Sequence, residues 1–274
     1  MMGLLQRNPL SFATLDGIAF AAERGRLGSD LPAHIPTDLG PLIEMVQLAR
    51  TGLLPLPSSA VWLDLNGNES LLRVATGSSE CWVSAHGNRL GAFRTKHGES
   101  NSSWASFRVE AHKAILSAGF TSQTAARLIG AMGEIVDNVT EHSQAATTGL
   151  VAFDARQESF EFIVADVCVG ALASLQTNSE YTHLRDEGDA LQCALTDGES
   201  RFGRAAGRGT GFSQLFKSLA TLNASLRFRS GDHALTIEGK SPTLINAIVA
   251  KKPRAVGFFT SVRCTVSDRM KNVA

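Results

Sequence analysis

The chain has 274 residues, 43% of them hydrophobic and 19% charged, the balance of an ordinary globular protein. Its 26 basic residues match its 26 acidic ones, so the formal net charge is +0 and no overall field draws it to nucleic acid or to an anionic membrane. The length suits one large or two modest domains.

Cys81, Cys168, Cys193 and Cys264 are widely spaced and form no C-x-x-C pair, which argues against structural zinc and for a reducing compartment. The N-terminus lacks a basic start followed by an apolar core and a small-residue cleavage site, and no apolar run is long enough to span a bilayer. A cytoplasmic location is expected, without membrane or nucleic-acid partners.

Residues 1–100 read as a smaller accessory α/β domain. A helical pattern covers 11–24, with Phe12, Leu15, Ile18 and Ala19 along it. Residues 28–36 hold two prolines and a glycine and read as a loop. A second helix is expected over 38–51, where Pro41 falls in the first turn and is tolerated. Two prolines in 53–59 break it. Residues 60–65 predict an apolar strand, Asn66-Gly67-Asn68 a turn, and 71–75 and 81–85 further strands of a mixed or antiparallel sheet. No motif here is tied to chemistry. The unit is either a regulatory, partner-binding domain or a structural extension of the C-terminal domain. Residues 96–103 are polar and turn-rich, a linker or a loop between strands.

Residues 101–274 form the second expected domain. Residues 107–118 predict a helix capped by Ser106 and ended by Gly119. Thr121 or Ser122 caps a longer helix running to about Ser143. Residues 148–155 and 159–165 pair as a hairpin, 184–196 and 212–222 are helical, and 198–211 is rich in Gly and Arg. A second hairpin joins 225–228 to 234–237, and 257–266 is the last strand. Helices on one face of a mostly antiparallel sheet make an α+β two-layer sandwich.

Three stretches stand out. At about 100° per residue, Leu128, Met132, Ile135, Val136 and Val139 share one face of the long helix, and Glu134, Asn138 and Glu141 lie on a stripe away from it. Glu134 and Asn138, one turn apart, can point at the same object. Gly130 and Gly133 each cost about 1 kcal/mol relative to Ala, which suggests close approach by a backbone or a ligand. The competing reading is a solvated stripe, with His142 a helix-end residue favoured by the helix dipole. Next, the strand from Phe160 ends in Asp166, followed by Gly170. A carboxylate there needs a partner, either a ligand or the turn it caps. Finally, Gly207, Gly209 and Gly211 precede a helix and leave N–H groups able to face an anion, with Arg204 and Arg208 beside them. The alternative is a Gly-rich linker. No Gly-Lys-Ser/Thr follows, so this is not a P-loop, and a Rossmann turn fails because its third Gly would fall at Phe212.

ExxxN at Glu134 to Asn138, D-x-x-x-G at Asp166 to Gly170 and GxGxG at Gly207 to Gly211, in that order, resemble the GHKL ATPase superfamily. Its members include the ATP-binding domains of histidine kinases, anti-sigma-factor serine kinases, DNA gyrase, a class of heat-shock chaperones and the MutL proteins. The resemblance covers residues 105–266 and implies a Bergerat-type fold that binds ATP with Mg2+. It implies that Asn138 ligates Mg2+, that Glu134 is the catalytic base or orients the acceptor, and that Asp166 reads adenine while Gly170 lets the backbone pass. It makes Gly207, Gly209 and Gly211 the phosphate cradle, helped by Arg208, and residues 171–206 a lid that orders on ATP. One departure is Cys168, which stands where the pattern D-x-G-x-G has its first glycine. The expected function is a Mg-ATP-dependent signalling switch with a protein partner or substrate, a serine/threonine kinase or, as alternatives, a slow ATPase or a non-catalytic binding module; a homodimer stays open. A self-phosphorylating histidine kinase is disfavoured because His112 lies too close to the motif helix.

Overall fold

Phe160, Phe162 and Val164 leave their strand on one side, Ile163 and Ala165 on the other, and all five are buried. Side chains alternate across a strand, so the sheet around them must be covered on both faces. In the computed structural model, described for residues 7–28, 30–85, 89–95, 102–142, 149–196 and 211–266, it is.

The elements in order are β1 (Asn8–Leu10), α1 (Phe12–Glu23), β2 (His34–Pro36), α2 (Leu39–Arg50), α3 (Glu69–Thr76), β3 (Cys81–Val83), β4 (Leu90–Thr95), α4 (Ser102–Ser117) and α5 (Ser122–His142). They continue with β5 (Gly149–Arg156), β6 (Ser159–Ala165), α6 (Gly170–Leu175), α7 (Glu187–Leu195), α8 (Gly211–Leu219), β7 (Asn223–Ser230), β8 (His233–Lys240), β9 (Ile248–Lys251) and β10 (Phe258–Thr265). Eight strands form one antiparallel sheet in the order β3-β4-β5-β6-β10-β7-β8-β9; β1 and β2 make a small parallel pair.

The α+β class and the mostly antiparallel sheet are as expected, and α4, α5, α7 and α8 lie on one face. Their apolar sides meet Phe153, Phe160, Phe162 and Phe228 of the sheet. Each fully buried Leu or Phe contributes about 1.5–3 kcal/mol. Helix α5 carries its stripe Leu128, Met132, Ile135 and Val136 into this core, and Thr121 caps it, its Oγ1 accepting from the Thr124 N–H at 3.2 Å.

The N-terminal region covers the other face. Leu15 of α1, Leu42, Ile43 and Val46 of α2 and Leu71 of α3 pack on Ala92, Ala152, Ile163 and Phe259, and β3 and β4 belong to the same sheet as β5–β10. This joint also holds buried charge. Arg227 of β7 reaches Glu44 of α2 at 2.7 and 2.9 Å and Asp16 of α1 at 2.6 Å, and Arg229 donates to Glu44 at 2.5 Å. Lys252 adds a contact to Asp16 at 2.7 Å. Burial would raise the Glu44 carboxyl, but the two guanidinium groups hold it below its ordinary range. Glu161 of β6 binds the first turn of α2, accepting from the N–H groups of Leu39 and Gly40 at 2.9 and 2.8 Å and from the Ser261 hydroxyl at 3.0 Å. A Cβ on Gly40 would lie 2.8 Å from that carboxylate. At the rim, Arg263 meets Asp38 at 2.6 Å.

Several expectations give way. Residues 71–75 are helix α3, not a strand, since Leu71, Leu72, Val74 and Ala75 all bury on one helical side against the sheet and α2. Asn66 (φ 51°) and Gly67 (φ 85°) do make a turn, but it leads into that helix. Residues 60–65 make only an isolated bridge, Leu63 to His34. Ser106 lies inside α4, which begins four residues earlier, at Ser102. Within the span 171–206, residues 171–175 continue α6 and 187–195 form α7, whose Leu191 and Leu195 are buried in the main core. Residues 197–206 of that span lie outside the described residues. Among the described residues, no helix is long and apolar enough to cross a membrane.

Candidate functional site

Strand pairing fixes what meets at each end of the sheet. Ala165 pairs with Leu150 and Phe259, Phe258 with Ser230, Ser230 with His233, and Thr95 with Gly149. Asp166 follows Ala165 and belongs to this end. At the opposite end, the Glu158 N–H donates to Ala118 O at 2.8 Å, and α5 starts four residues after Ala118. A helix of 21 residues spans about 30 Å, so α5 runs the length of the sheet and finishes near Gly149. Asn138, one turn from its end, is therefore at the Asp166 end. Helix α8 runs the other way. Ser218, near its end, donates to Arg127 O near the start of α5 at 3.3 Å. Phe212, near its start, stacks edge-on to Phe258 with ring centroids 6.2 Å apart.

Of the sequence-predicted residues, Glu134 is exposed and Asn138 half-buried in the last turns of α5, and Gly211 opens α8. Gly170 opens α6 at φ 84°, a left-handed conformation that favours glycine. Gly207, Arg208 and Gly209, with Arg204, lie outside the described residues, as do the side chains of Glu141 and His142. Among the described residues, a Cβ on Gly130 would meet nothing within 4 Å and one on Gly133 would meet only Arg108, at ordinary contact. Neither glycine reflects a close backbone approach.

Asp166 is 4% exposed. Its Oδ1 accepts from the Cys168 N–H at 2.8 Å and the Phe258 N–H at 3.0 Å, and the Cys168 thiol also bonds the carboxylate. Burial raises its carboxyl above the ordinary range, and these donors pull it back only in part. Cys168 thus gives Asp166 a side-chain contact that a glycine would lack. Neither of the two backbone bonds uses Oδ2.

No known family model matches the chain, and no curated protein matches it.

Four residues at this end carry no motif. Gln47 of α2 donates its amide to the Asp166 carbonyl. Gly257 (φ 66°) leaves room for the Asp166 carboxylate, since a Cβ there would lie 2.4 Å from Oδ1. Ser230 and Glu187 secure the turn at Gly170. The Ser230 hydroxyl accepts from Ala171 N at 2.8 Å and donates to Glu187 at 2.7 Å, and Glu187 also accepts from Leu172 N at 3.1 Å. A Cβ on Gly170 would lie 2.8 Å from the Ser230 hydroxyl. Only Gly257 leaves a local signal, a glycine directly before the last strand. This end of the sheet holds a fixed carboxylate, a half-buried carboxamide and the positive end of α8, the chemistry of polar and anionic groups.

Proposed function

We propose that the chain binds Mg-ATP at the Asp166 end of the sheet and acts as a nucleotide-dependent signalling switch in the cytoplasm. The proposed partner is a protein, and the first reaction to test is phosphoryl transfer to serine or threonine. The observation that carries the reading is the convergence of the end of α5, the end of β6 and the starts of α6 and α8 on one end of one sheet.

The residues fit such a ligand. Asn138 would supply a side-chain oxygen to Mg2+, which takes few protein ligands and keeps phosphate and water for the rest. Asp166, with Oδ2 outside its backbone bonds, would accept from an exocyclic amine of the base. Gly170 would bring the backbone close to the base, and the start of α8 would face phosphate. Glu134, exposed one turn from Asn138, would orient an incoming hydroxyl or water. ATP supplies the transferable phosphoryl group.

A fluorescent ATP analogue with Mg2+ is expected to bind the chain, and Asn138→Ala to abolish that binding. Unchanged binding removes Asn138 from the site, and no binding by the parent overturns the reading. Labelled ATP then separates the reactions: labelled protein marks a kinase, free phosphate an ATPase, and neither a binding module.

A further inference from the structure

Gln47 has no part in the proposed chemistry, yet its amide is buried at the site. It is 3% exposed on α2, within the layer that covers the second face of the sheet. Its Nε2 donates to the main-chain carbonyl of Asp166. That residue is held on every polar group of its backbone. Its N–H donates to Phe258 O at 2.9 Å, its carbonyl is bound by α2, and its Oδ1 takes two N–H bonds. Gly257 closes the remaining space, since a Cβ there would stand 2.2 Å from the Asp166 carbonyl oxygen.

We infer that Gln47 is a positioning residue for purine selection by Asp166, which makes the N-terminal layer part of the nucleotide site. This rests on the nucleotide reading above. A carboxylate distinguishes purines by direction: it accepts from the 6-amino group of adenine and opposes the 6-oxo group of guanine. Buried polar groups built for a donor reject an analogue that lacks it. The discrimination holds only while the carboxylate keeps its direction, and the Asp166 peptide sets that direction. Without the amide of Gln47, the carbonyl is released toward the small pocket lined by Val46, Arg50, Leu150 and Val167. The carboxylate then tilts with it.

The test is displacement of a bound fluorescent ATP analogue by ATP and by GTP, with Mg2+, on the full chain. The parent is expected to prefer ATP. Gln47→Met keeps the length and burial of the side chain but has no donor, and is expected to narrow the ATP-over-GTP ratio about tenfold, the effect of one hydrogen bond of roughly 1.4 kcal/mol. A purely structural role would weaken both nucleotides alike or lower only the melting temperature. Gln47→Leu, shorter and likewise without a donor, is expected to narrow the ratio as well; it supplies the readout if the methionine variant does not fold. An unchanged ratio in a folded variant overturns the inference and leaves the ATP reading standing. A parent that binds neither nucleotide overturns both.

Discussion

The two faces of the sheet are closed by different means. On the α5 side, phenylalanines and leucines meet with little polar content, and adaptation of one side chain to another fills the space. On the α2 side an apolar core is joined by Asp16, Glu44, Glu161, Arg227 and Arg229, all buried. Apolar contact is undirected and tolerates small shifts. A guanidinium fork on a carboxylate does not, because its bonds are aligned in only one register. The first face is built for cohesion and the second for placement: α2 is set at one height and angle against β6 and β7, which is what its contact with Asp166 requires.

The largest effects are expected from Phe153→Ala on the first face and Glu44→Ala on the second, each costing about 3–5 kcal/mol. They should differ in rescue. Glu44→Leu combined with Arg227→Met and Arg229→Leu is expected to regain most of the urea midpoint, since the loss comes from isolated buried charge and apolar groups can replace a buried ion cluster. A second truncation beside Phe153 should deepen the loss. If the triple variant stays as unstable as the single one, placement by charge is the wrong account of the second face.

An intermediate effect belongs to Glu161. Burial pushes its carboxyl up from 4.5 to about 7, against the pull of the Leu39 and Gly40 N–H groups, while Asp38 adds to the rise. A carboxyl raised in the folded state contributes stability that is fully present below its unfolded value and lost as pH climbs through the folded one. The loss expected between pH 4.5 and somewhat above 7 is about 3 kcal/mol. Glu44 works in the opposite sense. It is held low, so its contribution disappears as pH falls below its ordinary range. Urea unfolding across pH 5–8 should show stability falling in the parent and a flatter profile in Glu161→Gln; parallel profiles would show that Glu161 does not titrate there. The smallest effect is expected at the rim. Arg263 is 40% exposed against Asp38, and Arg263→Met should cost about 0.5 kcal/mol or less and lose even that in high salt, as read by thermal melts.

Helix α5 was legible because its apolar residues repeat at helical spacing over 21 residues and a threonine stands before it. Both hairpins were legible from alternation and turn residues. Residues 71–75 are ambiguous because a short apolar run suits a buried strand or a buried helix alike, and only the surface it meets decides. Strands β4 and β9 carry weak signals because Gly91 and Arg94 interrupt one pattern and the other is four residues long. At the candidate site, Glu134, Asn138, Asp166 and Gly170 could be read in order, since each lies in a local motif. Gln47 could not: it meets Asp166 across 119 positions of chain. The ion cluster spans still more, with 183 positions between Glu44 and Arg227. No local pattern encodes such partners.

That last separation bears on how the protein is made. Synthesis proceeds at about 5–20 residues per second, so Glu44 leaves the ribosome roughly 10–40 s before its arginine partners exist. Through that interval the Glu44 carboxylate has neither guanidinium, although Ala92, Ala152 and Ile163, on which α1 and α2 pack, are already made. The ion cluster therefore closes only once β7 exists, later than the apolar surface of the same layer.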